Sequence, residues 1–128
     1  MAYTILIVDD SATTRAMIRR VITLSGIDAD TVLEAADGRE GLDALDACEV
    51  DLVLADLHMP NMGGLEMTQK MMADPTLRHV PVVIVSADPN ASRIEALRQQ
   101  GVKGYVAKPF TPEAFREALG QALGVAHA

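Results

Sequence analysis

The 128-residue chain has no tryptophan, two tyrosines, two phenylalanines and a single cysteine. With Cys48 alone it can form neither an internal disulfide nor a cysteine-rich zinc site, which fits a reducing cytoplasm. Positive charge is also scarce. Eleven Lys and Arg face 18 Asp and Glu, for a net charge of −7. That excludes nonspecific binding to nucleic acid or to an anionic membrane, which needs clustered positive charge. No apolar run approaches the ~18 residues of a membrane span. The start, MAYTILIVDD, lacks the basic-then-apolar order of a signal peptide. Linkers, repeats and low-complexity segments are missing too.

What remains is 49% hydrophobic and near the usual size of one domain, so residues 1–128 are expected to fold as a single unit with a real core. Short apolar runs lie at 4–8, 31–36, 51–55, 81–85 and 104–107. Most are rich in Val, Ile and Leu without polar alternation, as in strands buried on both faces. The run TVLEAA at 31–36 is the weakest and reads as an edge strand.

Segments of helical period fill the gaps. Residues 13–25 place Met17, Ile18, Val21, Ile22 and Leu24 on one side, with Arg15, Arg19 and Arg20 elsewhere, and Gly26 terminates them. Further helices are expected at 39–48, 64–73, 91–100 and 112–123. The last carries Phe115, Ala118, Leu119, Ala122 and Leu123 as one stripe, with Thr111 as N-cap and Pro112 in the first helical position. The order is (βα) five times, which predicts an α/β fold: a doubly wound, flavodoxin-like parallel sheet of order 2-1-3-4-5. The fifth helix leaves only GVAHA, so no output domain is expected.

Five polar residues stand where apolar runs end. TILIV leads to Asp9 and Asp10, DLVLA to Asp56, PVVIV to Ser86 and GYVA to Lys108. In open α/β sheets, ligands bind beyond the carboxyl ends of the strands. Three acids converging there repel one another; at ~4 Å and an effective dielectric of ~20, each pair costs on the order of 4 kcal/mol. Lys108 and a bound Mg²⁺ together match that charge, and Mg²⁺ takes hard oxygen ligands while keeping open positions. A phosphoryl group reaching the site would find a carboxylate as its nucleophile, and Asp56, alone at its strand end, suits that role best. Asp9 and Asp10 are better placed to hold metal. Lys108 and Ser86 can take the remaining phosphoryl oxygens. Phosphorylation adds roughly one negative charge to the pocket, and Ser86 would move toward it.

Singly, each feature has an ordinary reading: an Asp pair before a helix is often an N-cap, and a Ser after a strand is usually a turn residue. The conjunction carries the inference. LIVDDS, DLVLADLHMP, VIVSA and GYVAKPF, in this order along the whole chain, resemble a response-regulator receiver domain of the CheY-like family. The resemblance implies Asp56 as phosphoacceptor, and Asp10 and Asp56 as direct Mg²⁺ ligands. It adds the His58 backbone carbonyl as a third ligand and Asp9 through a metal-bound water. Ser86 becomes the switch hydroxyl, Lys108 the phosphate partner, and Tyr105 an aromatic that turns inward as Ser86 moves. A cis Lys108–Pro109 bond is expected as well. Gly63–Gly64 departs from the family's frequent Asp-Gly, which should alter the loop and leave the chemistry. His58 and Asp88 stand where the family tunes phosphoryl lifetime.

The resemblance implies a stand-alone switch that is not itself an enzyme, beyond self-phosphorylation and slow autodephosphorylation. It would be phosphorylated by a histidine kinase or phosphotransfer protein and read through helix 4, strand 5 and helix 5, near Ile94, Tyr105 and Phe115. Chemotaxis, with a flagellar motor switch protein as target, is the leading expectation. A phosphate sink and a cell-cycle or kinase-regulating receiver are the alternatives. An Mg²⁺-dependent aspartyl-phosphate phosphatase is the rival of another class, but no second acid stands two residues after Asp56 and no cap segment encloses a substrate. A nucleotide binder would need a Gly-rich loop where DDSATT stands. His79 and His127 read as structural or solvated.

Overall fold

The computed structural model describes residues 3–87 and 91–124, with 91–93 followed along the backbone alone. Asp88 and His127 lie outside the described residues. Strands and helices alternate: β1 (Tyr3–Val8), α1 (Ala12–Leu24), β2 (Ala29–Ala35), α2 (Gly38–Ala47), β3 (Leu52–Ala55), α3 (Gly64–Ala73), β4 (Val82–Ser86), α4 (Ala91–Gln99), β5 (Gly104–Ala107) and α5 (Pro112–Leu123). The five strands form one parallel sheet of order β2-β1-β3-β4-β5, as expected.

Each strand sends alternate residues to opposite faces, because the side-chain period of a strand is two. Leu6, Val8, Val53, Ala55, Val82 and Ile84 point to one side, where Leu45 of α2, Met67 and Met71 of α3 and Leu97 of α4 cover them. Ile5, Ile7, Leu52, Leu54, Val83 and Val85 point to the other, beneath Ile18 and Ile22 of α1 and Phe115 and Leu119 of α5. Both faces are dry, which is why the inner strands read as unbroken apolar runs. The weak run forms β2, at the sheet edge.

Two expectations need correction. Met17 and Leu24, grouped with Ile18, Val21 and Ile22 on one side of α1, are 55% and 61% exposed. The sheet and α5 leave room for only the narrow Ile18–Ile22 stripe, so the wider apolar arc is not filled. Phe115, expected near an outward binding surface, has no exposed area. It is a core residue, with its ring centroid 5.2 Å from that of Phe110.

The local signals behave as their chemistry requires. Ser11 caps α1 by accepting Thr14 N–H at 3.2 Å, and Thr111 caps α5 by accepting Ala114 N–H at 3.1 Å. Gly124 closes α5 in the left-handed conformation, φ 71°. The Lys108–Pro109 bond is cis. No helix among the described residues is long and apolar enough to cross a membrane.

Candidate metal and phosphoacceptor site

Register brings the acids together. Val8 of β1 is level with Ala55 of β3, so the next residues, Asp9 and Asp56, leave adjacent central strands side by side. Asp56 N–H donates to Val8 O at 2.9 Å, and Asp9 N–H to Ala35 O at 3.0 Å, extending the ladder one step past the strand ends. Carboxylate oxygens of Asp9, Asp10 and Asp56 all lie within 4.8 Å of one another. The order 2-1-3 makes this possible: the chain reverses direction across the sheet between β1 and β3, and the crevice opens there.

The three acids differ in environment. Asp9 is buried at 1% exposure, Asp56 is half-buried and Asp10 is exposed. Asp9 Oδ1 accepts Ser11 N–H at 2.9 Å, and its Oδ2 accepts Lys108 Nζ at 3.2 Å. Lys108 Nζ also donates to Asp56 Oδ2 at 3.3 Å, so one ammonium bridges two carboxylates contributed by two strands. Burial of Lys108 works against its charge, but Asp56 and then Asp9 outweigh it and hold its proton above the ordinary lysine range. Lys108 is therefore a fixed positive charge. It offsets one of three acids, leaving an all-oxygen donor set of the hard kind that suits Mg²⁺.

Ser86 is the last residue of β4 and 2% exposed, so it ends the strand from within. Its carbonyl accepts Lys108 N–H at 2.9 Å and the Tyr105 hydroxyl at 3.3 Å. Tyr105 is half-buried against the α2–α4 side of the core and tied to the strand that carries Ser86. His58 is exposed, and its N–H reaches Asp56 Oδ1 at 3.5 Å. All the expected site residues thus gather around the carboxyl ends of β1, β3, β4 and β5.

Arg15 was given no role by the sequence, where it stands only outside the apolar side of α1. Its Nη1 holds the Asp9 carbonyl at 2.6 Å and its Nε holds Glu34 Oε1 at 2.8 Å. A basic residue in the first turns of α1 and an acid near the end of β2 were the available signal. What joined them was the register of the β1–β2 pairing, which sets Glu34 level with Ile7 and within reach of Arg15.

Residues 5–120 match the family described as the response regulator receiver domain. Over 121 residues the chain is 35% identical to chemotaxis protein CheY1 of Helicobacter pylori, covering 94% of this chain and 96% of that one. It is 36% identical over 121 residues to the chemotaxis protein CheY homolog of Campylobacter jejuni, covering 94% and 92%. Chemotaxis protein CheY4 of Vibrio cholerae superposes with a TM-score of 0.84 at 27% identity, over 96% of this chain and all (100%) of that one. A sensor histidine kinase receiver domain from Pseudomonas aeruginosa, solved with a magnesium ion coordinated in its active-site cleft, gives 0.83 at 25% identity, over 97% and 99%. With acids at the ends of β1 and β3 bridged by a lysine from β5, and with these relatives, the chain belongs to the CheY-like response regulator receiver domains of two-component signalling.

Proposed function

We propose that the chain is a phospho-switch that accepts a phosphoryl group on Asp56 from a histidine kinase or a histidine phosphotransfer protein. The observation that carries this reading is the ammonium of Lys108 bridging Asp9 and Asp56 beside a third acid, Asp10. Asp10 and Asp56, with the His58 carbonyl, would hold Mg²⁺, and Asp9 would act through a bound water. Mg²⁺ supplies positive charge against the phosphoryl oxygens and the carboxylates.

A carboxylate oxygen of Asp56 attacks phosphorus of the phosphohistidine. A C–O–P linkage forms, and the P–N bond breaks. Its electron pair returns to the imidazole, which takes a proton from solvent. Lys108 then shares its hydrogen bonds with the new phosphoryl oxygens, and the Ser86 hydroxyl turns toward them. The Ser86 carbonyl is also the acceptor of the Tyr105 hydroxyl, so a shift at the end of β4 loosens Tyr105 and alters the surface of α4, β5 and α5. Through that surface the chain would bind a downstream protein. Relatives named as chemotaxis proteins at 35% and 36% identity favour a role in chemotaxis, and the target we propose is a flagellar motor switch protein. Residues 1–128 would act as one receiver in the cytoplasm, with self-phosphorylation and slow autodephosphorylation as the only chemistry.

The test is incubation with a small phosphodonor and Mg²⁺, followed by intact mass. One added phosphoryl group, absent in Asp56→Asn, is expected. Turnover of general phosphoesters at ordinary enzymatic rates would instead indicate a phosphatase.

A further inference from the structure

The β3–α3 loop carries Asp56 and His58 and must be held in place from somewhere. Its near end is anchored by the burial of Leu57, 5% exposed, whose carbonyl accepts Gly64 N–H at 3.2 Å. Its far end is pinned to a different element. Asn61 Nδ2 donates to Asp37 Oδ2 at 2.7 Å across 24 residues of sequence, and Gly38 N–H donates to Met62 O at 2.9 Å. Asp37 is the N-cap of α2, and its carboxylate is divided between two tasks. Oδ1 accepts Glu40 N–H at 2.8 Å, as a cap does, and Oδ2 takes the loop.

Three further observations show that this contact is built. Asp37 is only 6% exposed, and the Asn61 amide, followed by the Glu40 N–H, holds its carboxyl below the usual range. A Cβ at Gly38 would lie 2.8 Å from Met62 O and 2.9 Å from Met62 Cγ, so the approach requires glycine. Asn61 has φ 64°, the left-handed region, where asparagine is among the most tolerated non-glycine residues.

We propose that Asp37 and Asn61 are positioning residues for the divalent-cation site, their bond fixing the β3–α3 loop so that the His58 peptide stays against Asp56. The proposal rests on the metal reading given above. Neither residue is among the three acids close enough to hold a cation, Asp9, Asp10 and Asp56. Partners of this indirect kind commonly change metal affinity tenfold or more.

The test is a Mg²⁺ titration of the full chain by calorimetry, with a thermal melt of each variant. Asp37→Ser keeps an equally good cap and loses the bond to Asn61. Asn61→Gly keeps the left-handed backbone and loses the same bond without changing charge. Asp37→Asn keeps both a cap and an amide that can pair with Asn61, and removes the charge. Asp37→Ser and Asn61→Gly are each expected to raise the Mg²⁺ Kd by about tenfold. The double variant should add little, because both changes delete one shared contact. Asp37→Asn should stay within about twofold of the parent chain, which separates the hydrogen bond from the charge. Variants that melt earlier but bind Mg²⁺ as the parent does would overturn the proposal. A parent chain that binds no Mg²⁺ would overturn the metal reading and this proposal with it, and the parent trace alone distinguishes that failure.

Discussion

Glu34 shows how one side chain can brace a pocket it does not enter. Its carboxylate accepts Arg15 Nε at 2.8 Å and Arg19 Nε at 3.1 Å, and Arg15 in turn holds the Asp9 carbonyl. The hydrogen bond from Arg15 is the main cause that lowers the Glu34 carboxyl; desolvation opposes it, and Arg19 adds to it. Because the folded chain takes up this proton later than the unfolded chain, the contribution is whole above the ordinary glutamate value of 4.5. It is lost as pH falls through the lowered value. Glu34→Gln should therefore lower Tm at neutral pH, and the difference from the parent should shrink as pH drops below that of a free glutamate. The side chain is 34% exposed, so the effect at pH 7 is about 0.5–1 kcal/mol. A difference that is constant from pH 7 into the acid limb would show that the ion pair is not its source. Lys108 is the opposite case, since its counter-ions are half-buried or buried and its proton is held more tightly for it.

At the scale of the element, the start of α3 explains the unusual Gly63–Gly64 pair. Gly63 is the N-cap and offers no side-chain bond to the helix. A Cβ there would stand 2.6 Å from Leu57 O, and a Cβ at Gly64 would press on Asp56 O. Gly63→Asp would gain a side-chain cap, worth only a few tenths of a kcal/mol over glycine, about 0.3. Overpacking against backbone costs about 1–3 kcal/mol. The net expectation is a loss of about 1–2 kcal/mol and a Tm lower by several degrees, read by calorimetry. A rise in Tm would mean that the loop yields freely. The expectation that this departure alters the loop fits the contacts at Gly63. Gly64, however, packs on the backbone of Asp56 itself, so loop and site are one structure there. Helix α1 teaches a related lesson. Its period grouped Met17 and Leu24 with Ile18 and Ile22, yet only Ile18 and Ile22 are buried, because α5 and the sheet meet α1 along a narrow line.

At the scale of the whole molecule, the sheet order concentrates negative charge at one end of the fold. Among the described residues, only Asp9, Asp10 and Asp56 form a cluster close enough to hold a metal. Mg²⁺ that binds the folded chain and not the unfolded one stabilises it by about 2.7 kcal/mol at a concentration of 100 Kd. A Tm that rises by several degrees with Mg²⁺ is expected, and Asp10→Asn should abolish the rise. Without Mg²⁺, Asp10→Asn should melt above the parent, because one of three mutually repelling carboxylates is gone. A variant that melts below the parent in metal-free buffer would show that the acids are not in conflict.

Strand and helix identities, and the polar residues that end the strands, were legible in the sequence because each rests on local chemistry. Doubly buried strands are apolar throughout, helices show their period, and Thr111-Pro112 is a local start signal for α5. The four short motifs and their order then named the site residues. The sequence pointed to the strand order and to the meeting of acids and lysine, but not to the individual hydrogen bonds between elements. The bridging of Asp9 and Asp56 by Lys108 spans 99 and 52 residues. The hold of Arg15 on Asp9 and the Asp37–Asn61 bond depend on which element lies beside which and at what distance. Local pattern determined what each residue is suited to do. Only tertiary packing, where contact is set by register and crossing geometry, decided which residues act together.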